Sequence, residues 1–124
     1  MNVETNVIDS APFRLGPEPT EPDLLAKYFR ALGDPTRLRI LRLLAEVGEL
    51  AVGEIVARVA VPQATVSTHL ACLRRCGFVA TRRAHRSVRY RIADDRVTAL
   101  VWTAQAVLRE DAEHVAACSR IDQL

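Results

Sequence analysis

The sequence predicts a mainly helical fold that carries one small β-hairpin. Apolar residues recur with helical spacing in five segments separated by Pro and Gly, and two short strand-like segments flank a basic run at residues 82–87. With 124 residues, the chain has about the length of one domain, and dimerisation is a common way for such a chain to bury more apolar surface. We therefore expect a single domain that forms a homodimer.

The N-terminal part of the chain predicts an arm followed by two helices. Residues 1–19 contain three prolines and one glycine, so we expect a flexible arm there. Thr20 is the expected cap of a first helix over about Glu21–Leu32. Asp34 is the expected cap of a second helix over about Pro35–Val47.

The middle of the chain predicts a helix-turn-helix followed by a basic hairpin. Glu49–Ala51 is expected to be a short extended link. A third helix is expected over Val52–Val59 and a fourth over Pro62–Cys76, with a tight turn between them. Strands over Phe78–Ala80 and Val88–Ile92 would then form a hairpin with a basic tip.

The last segment predicts one long helix over about Val97–Ala117. Its apolar face is wide for a small domain, and a second copy of the chain is the simplest cover for it. The residues expected at this dimer interface lie on the first and last helices, and they are Leu24, Tyr28, Leu100, Val101, Ala104 and Leu108.

The order of helix, helix, helix-turn-helix, basic hairpin and helix is that of a winged helix-turn-helix. The expected organisation is a flexible arm over residues 1–19, a winged helix-turn-helix domain for DNA binding and dimerisation over residues 20–117, and a tail over residues 118–124.

The basic residues are concentrated in one stretch. The net charge is only +2, but no acidic residue lies between Glu54 and Asp94, where eight arginines occur. This concentration is typical of a surface that binds a polyanion, since an ordinary solvated surface mixes both signs of charge. The sequence has no run of about 20 apolar residues and no secretion-signal pattern, so we expect a cytoplasmic protein.

The fourth helix is expected to enter the major groove of double-stranded DNA with its N-terminal residues at the base edges. Its candidate DNA-binding residues are Gln63, Thr65, Ser67, Thr68, His69 and Arg74. On the hairpin, Arg82, Arg83, His85 and Arg86 are expected to reach phosphates or the minor groove. Hydrogen bonding to the helix backbone is the other role open to Thr65 and Ser67. The two-fold symmetry of a dimer predicts an inverted-repeat operator.

The three cysteines predict a metal site. Cys72 and Cys76 are spaced i, i+4, so both thiols leave the same side of the fourth helix and flank its apolar stripe. Cys118 lies beyond the last apolar periodicity and is the expected source of a third sulfur. Thiolates favour soft ions such as cadmium, lead, mercury or arsenite. Filling core space is the other role open to the cysteines, and Glu113 and His114 are candidate supplementary ligands.

Three segments resemble a known family: FRALGDPTRLRILRLL, ATVSTHLACLRRCGFV and RSVRYRI. Over roughly Asp23–Leu108 the chain resembles the ArsR/SmtB family of metal-responsive repressors, and HLACLRRCGFV is most similar to the cadmium and lead sensors of that family. The resemblance implies a homodimer that binds its operator when metal-free. It implies release by Cd(II) or Pb(II), with Hg(II), Zn(II) or As(III) as further candidate inducers.

This chain departs from the wider family at several positions, and these differences exclude two of the family's metal-binding sites. Arsenic-sensing members carry Cys-Val-Cys where this chain has Ala51-Val52-Gly53. Zinc, nickel and cobalt sensors place two histidines on the last helix, and Arg96 and Val107 occupy those positions here. Pro62 stands where the family usually has a Ser or Thr cap.

An enzyme is not expected, because no phosphate-binding Gly-rich loop, Cys-x-x-Cys pair or catalytic grouping occurs. The main alternative is a repressor of the same fold whose thiols sense oxidation or arsenite. A repressor that senses nothing through its cysteines and a protein-interaction module built on the last helix also remain open.

Overall fold

The computed structural model describes residues 19–123. The helices and strands follow in the order α1 Glu21–Leu32, α2 Pro35–Val47, β1 Glu49–Ala51, α3 Val52–Val59, α4 Gln63–Arg75, β2 Val79–Ala84, β3 Ser87–Ile92, α5 Asp95–Ala117 and α6 Ser119–Asp122. The mainly helical fold with a small β-hairpin is confirmed. Except for Pro19, the predicted N-terminal arm lies outside the described residues.

The described residues divide into two units, 19–30 and 31–123. In the first unit, α1 starts with reciprocal hydrogen bonds. The Thr20 backbone N–H donates to Asp23 Oδ2 at 2.9 Å, and the Asp23 N–H donates to Thr20 Oγ1 at 3.2 Å. This arrangement satisfies two donors at the helix start, which explains why the helix begins where the sequence predicted.

In the second unit, α2 is bounded by a cap at each end. The Arg37 N–H donates to Asp34 Oδ2 at 3.0 Å. At the other end Gly48 adopts a φ of 104°, and its N–H donates to Leu44 O at 2.8 Å. A glycine accommodates this left-handed backbone without a Cβ clash, so α2 ends cleanly before β1.

The core of the second unit lies under α4. The buried apolar side chains come from the end of α1, from α2 through α5, from the sheet and from the residue before β2, and they are Leu32, Ile40, Leu41, Leu44, Leu50, Ile55, Val59, Val66, Leu70, Leu73, Phe78, Val79, Val97 and Val101. Helices α2 and α3 and strand β2 therefore fix the position of α4 from behind, and its opposite side remains exposed.

The wing is larger than predicted. Three antiparallel strands form a sheet in the order β1-β3-β2. Glu49–Ala51, predicted to be a link, is its third strand and pairs with β3. Strands β2 and β3 pair from Val79 and Ile92 down to Ala84 and Ser87, so only two residues form the turn. The predicted extent of the hairpin tip, residues 82–87, is therefore wrong, because Arg82 and Arg83 lie on β2 and Ser87 begins β3. An exposed wing strand carries polar residues and lacks the apolar pattern that marks a buried strand in the sequence.

β1 continues into α3 without a linker. Ala51 is the last residue of β1 and the N-cap of α3, and its N–H donates to Glu54 Oε1 at 2.9 Å. The wing is thus joined directly to the first helix of the helix-turn-helix.

The last long helix, α5, is interrupted. The Asp94 carboxylate caps its start by accepting the Arg96 N–H at 2.8 Å. Asp111 has the non-helical angles φ −140° and ψ 28°, so α5 consists of two helical segments that meet there. Among the described residues, no helix is long and apolar enough to cross a membrane.

Candidate DNA-binding surface and metal site

The N-terminal half of α4 presents its polar side chains to solvent. Val66 and Leu70 are no more than 1% exposed and anchor the helix on the core. Four of the predicted base-contacting residues lie on the other sides and are exposed, namely Gln63, Thr65, Ser67 and Thr68. The helix therefore offers amide and hydroxyl groups along a solvent-facing surface, as contact with base edges requires. The candidate DNA-binding residue Arg74 is exposed as well.

The Thr68 hydroxyl forms a hydrogen bond to the backbone of its own helix. Thr68 Oγ1 donates to the Ala64 carbonyl oxygen at 3.0 Å. A hydroxyl bonded in this way keeps its lone pairs, so Thr68 can still accept a hydrogen bond from a base or a water.

His69 has different surroundings from the other polar residues of α4. It is half-buried, with Nδ1 3.2 Å from Arg37 Nη1 and Nε2 3.7 Å from Asp34 Oδ2. The ring thus connects α4 to the start of α2. The Arg37 backbone N–H lowers the pKa of Asp34, and the nearby His69 acts in the same direction. Sequence spacing could not reveal this contact because the partners are 32 residues apart.

Arg82 is held against the sheet. It donates from Nε to Glu49 Oε2 at 3.1 Å and from Nη2 to Glu49 Oε1 at 2.5 Å. This hydrogen bonding lowers the pKa of Glu49 and raises that of Arg82. Because Glu49 lies on β1, the pair fixes the outer strand of the wing to the strand that leads into α3.

A second arginine strengthens this connection. Arg89 on β3 lies 3.4 Å from Glu49 Oε1 and 3.4 Å from Glu54 Oε1. Arg89, Glu49 and Glu54 thus position the wing, although none of them is among the site residues predicted from the sequence. Arg89 and Glu49 are 40 residues apart in the chain and meet because β1 pairs with β3.

The tip of the wing carries exposed charge. Arg83, His85 and Arg86 are all exposed, and His85 adopts a φ of 56° in the two-residue turn. No ion pair joins any of these three to another described residue. Their charges are therefore available to phosphates, whereas Arg82 has to exchange Glu49 for a phosphate.

The C-terminal half of α4 carries the thiol pair. The Cys76 N–H donates to the Cys72 carbonyl at 3.0 Å, so the two residues are one helical turn apart. Cys72 is half-buried and Cys76 is exposed. Both flank the stripe formed by Leu70 and Leu73 and do not enter it. Two soft donors on one accessible helix face are suited to a soft metal ion.

The third thiol lies elsewhere. Cys118 is half-buried and stands between α5 and α6. Within residues 19–123 no three Cys, His, Asp or Glu side chains of one chain come together as a metal-binding group. One protomer therefore presents the α4 pair alone. Glu113 and His114 are exposed, and His114 Nδ1 hydrogen bonds to Asp111 Oδ1 at the interruption of α5.

The predicted dimer residues differ in exposure. Leu24 and Leu108 are 42% and 45% exposed, Ala104 is exposed, and Tyr28 and Leu100 are half-buried. Val101 is buried inside the protomer because α5 packs on α2 and β3 at that level. Val101 therefore belongs to the core of the single chain. Ala104 and Leu108, farther along α5, are the predicted dimer residues of this helix that are exposed.

Comparison with known proteins identifies the family. A family model described as bacterial regulatory protein, arsR family, matches residues 34–81. The probable mercury resistance operon repressor of Streptomyces lividans is 41% identical over 102 residues, which cover 82% of this chain and 81% of that protein. The chain belongs to the arsR family. The transcriptional regulator CmtR of Mycobacterium tuberculosis is 40% identical over 97 residues, which cover 77% of this chain and 81% of CmtR.

Two solved structures share the fold. The homodimeric winged helix-turn-helix DNA-binding domain of a possible ArsR-family regulator from Mycobacterium bovis superposes with a TM-score of 0.68 at 36% identity, over 82% of this chain and 95% of that domain. NolR from Sinorhizobium fredii gives 0.66 at 31% identity, over 77% and 95%. The predicted winged helix-turn-helix fold is confirmed, and so is the prediction of a transcriptional regulator and not an enzyme.

Proposed function

We propose that the protein is a cytoplasmic, homodimeric repressor that binds an inverted-repeat operator when metal-free and is released when Cys72, Cys76 and Cys118 bind a soft heavy metal ion. The observation that carries the proposal is that the candidate base-contacting residues and the thiol pair lie on the same helix, α4. The N-terminal half of α4 carries exposed polar residues, and its C-terminal half carries two thiols one turn apart.

Operator binding is supported by the arrangement of α4 and the wing. Gln63 and Thr65 are exposed at the start of α4, and Arg83 and Arg86 are exposed on the wing tip. In the proposed complex, α4 contacts base edges in the major groove and the wing tip contacts phosphates.

Metal binding is supported by the chemistry of the donors. When bound, a soft ion supplies strong bonds to thiolate sulfurs. The α4 pair provides two sulfurs in a fixed relation, and Cys118 provides the third from a chain end that lacks buried neighbours. Because one protomer does not bring the three together, we assign the third sulfur to Cys118 of a second copy.

The same arrangement couples metal binding to DNA binding. Joining the end of α5 to α4 restricts the orientation of α4 relative to its symmetry mate. If that orientation differs from the one the operator requires, the two affinities oppose each other reciprocally, typically by about 1 to 3 kcal/mol.

Cadmium or lead is the proposed inducer, since three thiolates suit these ions and HLACLRRCGFV resembles their sensors. Mercury is the second candidate, which the name of the Streptomyces lividans relative favours. Release of a labelled promoter fragment, measured with cadmium, lead, mercury, zinc and arsenite in turn, ranks the inducers.

The central test is Cys118→Ser. This variant should bind the operator with unchanged affinity and lose release by cadmium, and Ser119→Ala is the matched control that should keep both. Normal release by Cys118→Ser would reject the role of the third thiol. Release by peroxide without metal in the native protein would favour a redox sensor instead.

Mixed dimers test whether the site crosses the two-fold axis. A Cys118→Ser chain is paired with a Cys72→Ser/Cys76→Ser chain and purified through two different tags. A site built across the axis leaves one complete set of three sulfurs, so ultraviolet thiolate-to-cadmium absorbance should appear in the mixture at half the native stoichiometry. A site built within one chain leaves none.

A further inference from the structure

A second basic surface lies between α2 and α3, apart from α4 and the wing. It is an open pocket lined by Arg39, Arg42, Leu43, Glu46, Arg58 and Val59. Arg39 and Arg42 are spaced i, i+3 and so project from the same side of α2. Arg58 reaches the pocket from the last turn of α3.

The three guanidinium groups of this pocket are not neutralised within the described chain. Arg39, Arg42 and Arg58 are exposed, and none of them forms an ion pair or hydrogen bond with a described residue. Arg82 and Arg89, in contrast, are each bound to a carboxylate. With Glu46 the only acidic group lining it, the pocket has a local charge of about +2, which favours a polyanion as its occupant.

The pocket adjoins the helix-turn-helix. Arg58 is near the C-terminal end of α3, directly before the turn that leads into α4. In a helix-turn-helix the first helix crosses the DNA backbone while the second lies in the major groove. A positive charge at the end of α3 is therefore expected beside phosphates when α4 is in the groove. Arg39 and Arg42 continue this positively charged surface along α2.

We propose that Arg39, Arg42 and Arg58 form a phosphate-binding pocket that grips the operator backbone beside the bases contacted by α4. This inference rests on the proposed function, because it requires operator binding. It extends the footprint of each protomer beyond α4 and the wing, and it contributes affinity without sequence preference.

The test is the salt dependence of operator binding by Arg39→Ala/Arg42→Ala. Each phosphate contact contributes about 0.9 unit to the slope of log K against log salt, so the loss of two contacts in each protomer should lower the slope of the dimer by about 3 to 4 units. Arg39→Lys/Arg42→Lys keeps the charges and should keep most of the slope. Arg109→Ala/Arg120→Ala removes the same charge from exposed positions on α5 and α6 and should leave the slope near its native value.

Two further measurements locate the contact. Hydroxyl-radical footprinting should show that Arg39→Ala/Arg42→Ala loses protection at specific backbone positions while the sugars beside the bases contacted by α4 stay protected. Glu46→Gln removes the one negative charge of the pocket and should tighten binding several-fold at low salt.

The outcomes separate this inference from the proposed function. If the native protein binds its promoter and the Arg39→Ala/Arg42→Ala variant keeps its slope and footprint, the pocket serves another partner, such as an acidic polypeptide, and the inference is overturned. An equal loss of slope in Arg109→Ala/Arg120→Ala would also overturn it, because net charge alone would then explain the effect. If the native protein binds no promoter fragment, the proposed function itself fails.

Discussion

The helix-turn-helix with its wing and the C-terminal half of α5 are built in opposite ways. The former surrounds α4 with buried side chains such as Leu41, Ile55 and Phe78, each no more than 1% exposed. In residues 102–123 no side chain is buried, and Val107 and Val115 are 62% and 56% exposed. The helix-turn-helix and wing thus have a core within one chain, whereas the end of α5 has an apolar surface without a cover.

This difference explains how one small chain can combine two properties. A recognition helix must be held rigidly if its side chains are to reach defined base edges, and close packing supplies that rigidity. A segment that has to meet a second chain must leave apolar surface exposed in the protomer. We therefore expect substitutions in the two regions to have different consequences.

Leu41→Ala and Leu108→Ala should separate the two regions most strongly. Removing the fully buried Leu41 side chain should lower the free energy of unfolding by about 2 to 5 kcal/mol, at any protein concentration. Leu108→Ala should lower the free energy of unfolding much less and should weaken dimerisation. The midpoint of its unfolding transition should therefore depend more steeply on protein concentration. Urea unfolding at several concentrations and sedimentation measure both effects, and similar losses that do not depend on concentration would contradict the contrast.

Gln63→Ala should alter DNA recognition and leave the thiol pair unaffected. The loss of one bidentate base contact should cost about 1 to 3 kcal/mol of discrimination at a single base pair. Cadmium should still release the variant from DNA. Cys72→Ser is the converse control, with native discrimination and no release. Binding to a panel of single-base operator variants provides the measurement, and a uniform loss over all operators would assign Gln63 a backbone contact.

Asp34→Ala should lower the free energy of unfolding by about 1 kcal/mol, because it removes the carboxylate that caps α2 and accepts the Arg37 N–H. Asp34→Asn retains a capping oxygen and should lose less. Chemical denaturation of both variants at neutral pH compares them directly.

The stability of the native protein should depend on pH through the same Asp34 carboxylate. Hydrogen bonding from the Arg37 N–H lowers the pKa of Asp34 below its ordinary value of 3.8. Since the folded pKa is the lower one, the stabilisation is complete above pH 3.8 and is lost as the pH falls through the lowered value. Asp34→Ala should therefore unfold with a shallower acid dependence, and parallel acid curves for the two proteins would contradict the assignment.

Ala60→Gly should produce the smallest change, a gain of stability. Ala60 ends α3 with φ 60° and ψ 40°, a left-handed conformation that a Cβ disfavours. Glycine at this position should raise the free energy of unfolding by about 0.5 to 1 kcal/mol. Ala57→Gly, inside the same helix, should lower it by a similar amount, and a loss in both variants would show that the turn carries no strain.

The helices could be predicted from the sequence because their signals are local. Thr20, Asp34 and Gly48 mark helix ends by hydrogen bonds to residues three or four positions away. The bounds of α1, α2 and α3 agree with the predicted ones for this reason. The interruption of α5 at Asp111 has no comparable marker, since neither Gly nor Pro stands there.

The features that escaped prediction depend on residues far apart in the chain. The third strand required knowledge that Glu49–Ala51 pairs with Arg89–Arg91. The contacts of His69 with Asp34 and of Arg82 with Glu49 each join residues more than 30 positions apart. The candidate DNA-contacting side chains are recognisable by type and spacing, but only the fold distinguishes Arg82, which binds a carboxylate, from Arg83 and Arg86, which form no ion pair with a described residue.

The direct junction of β1 and α3 at Ala51 has a consequence for how this regulator can vary. One inserted residue there would rotate α3 by about 100° about its axis, or would turn every side chain of β1 to the opposite face of the sheet. The two-residue turn at His85 and Arg86 can be lengthened without such damage. Divergence among proteins built on this plan should therefore accumulate as indels at the wing tip, while the Ala51 junction keeps its length.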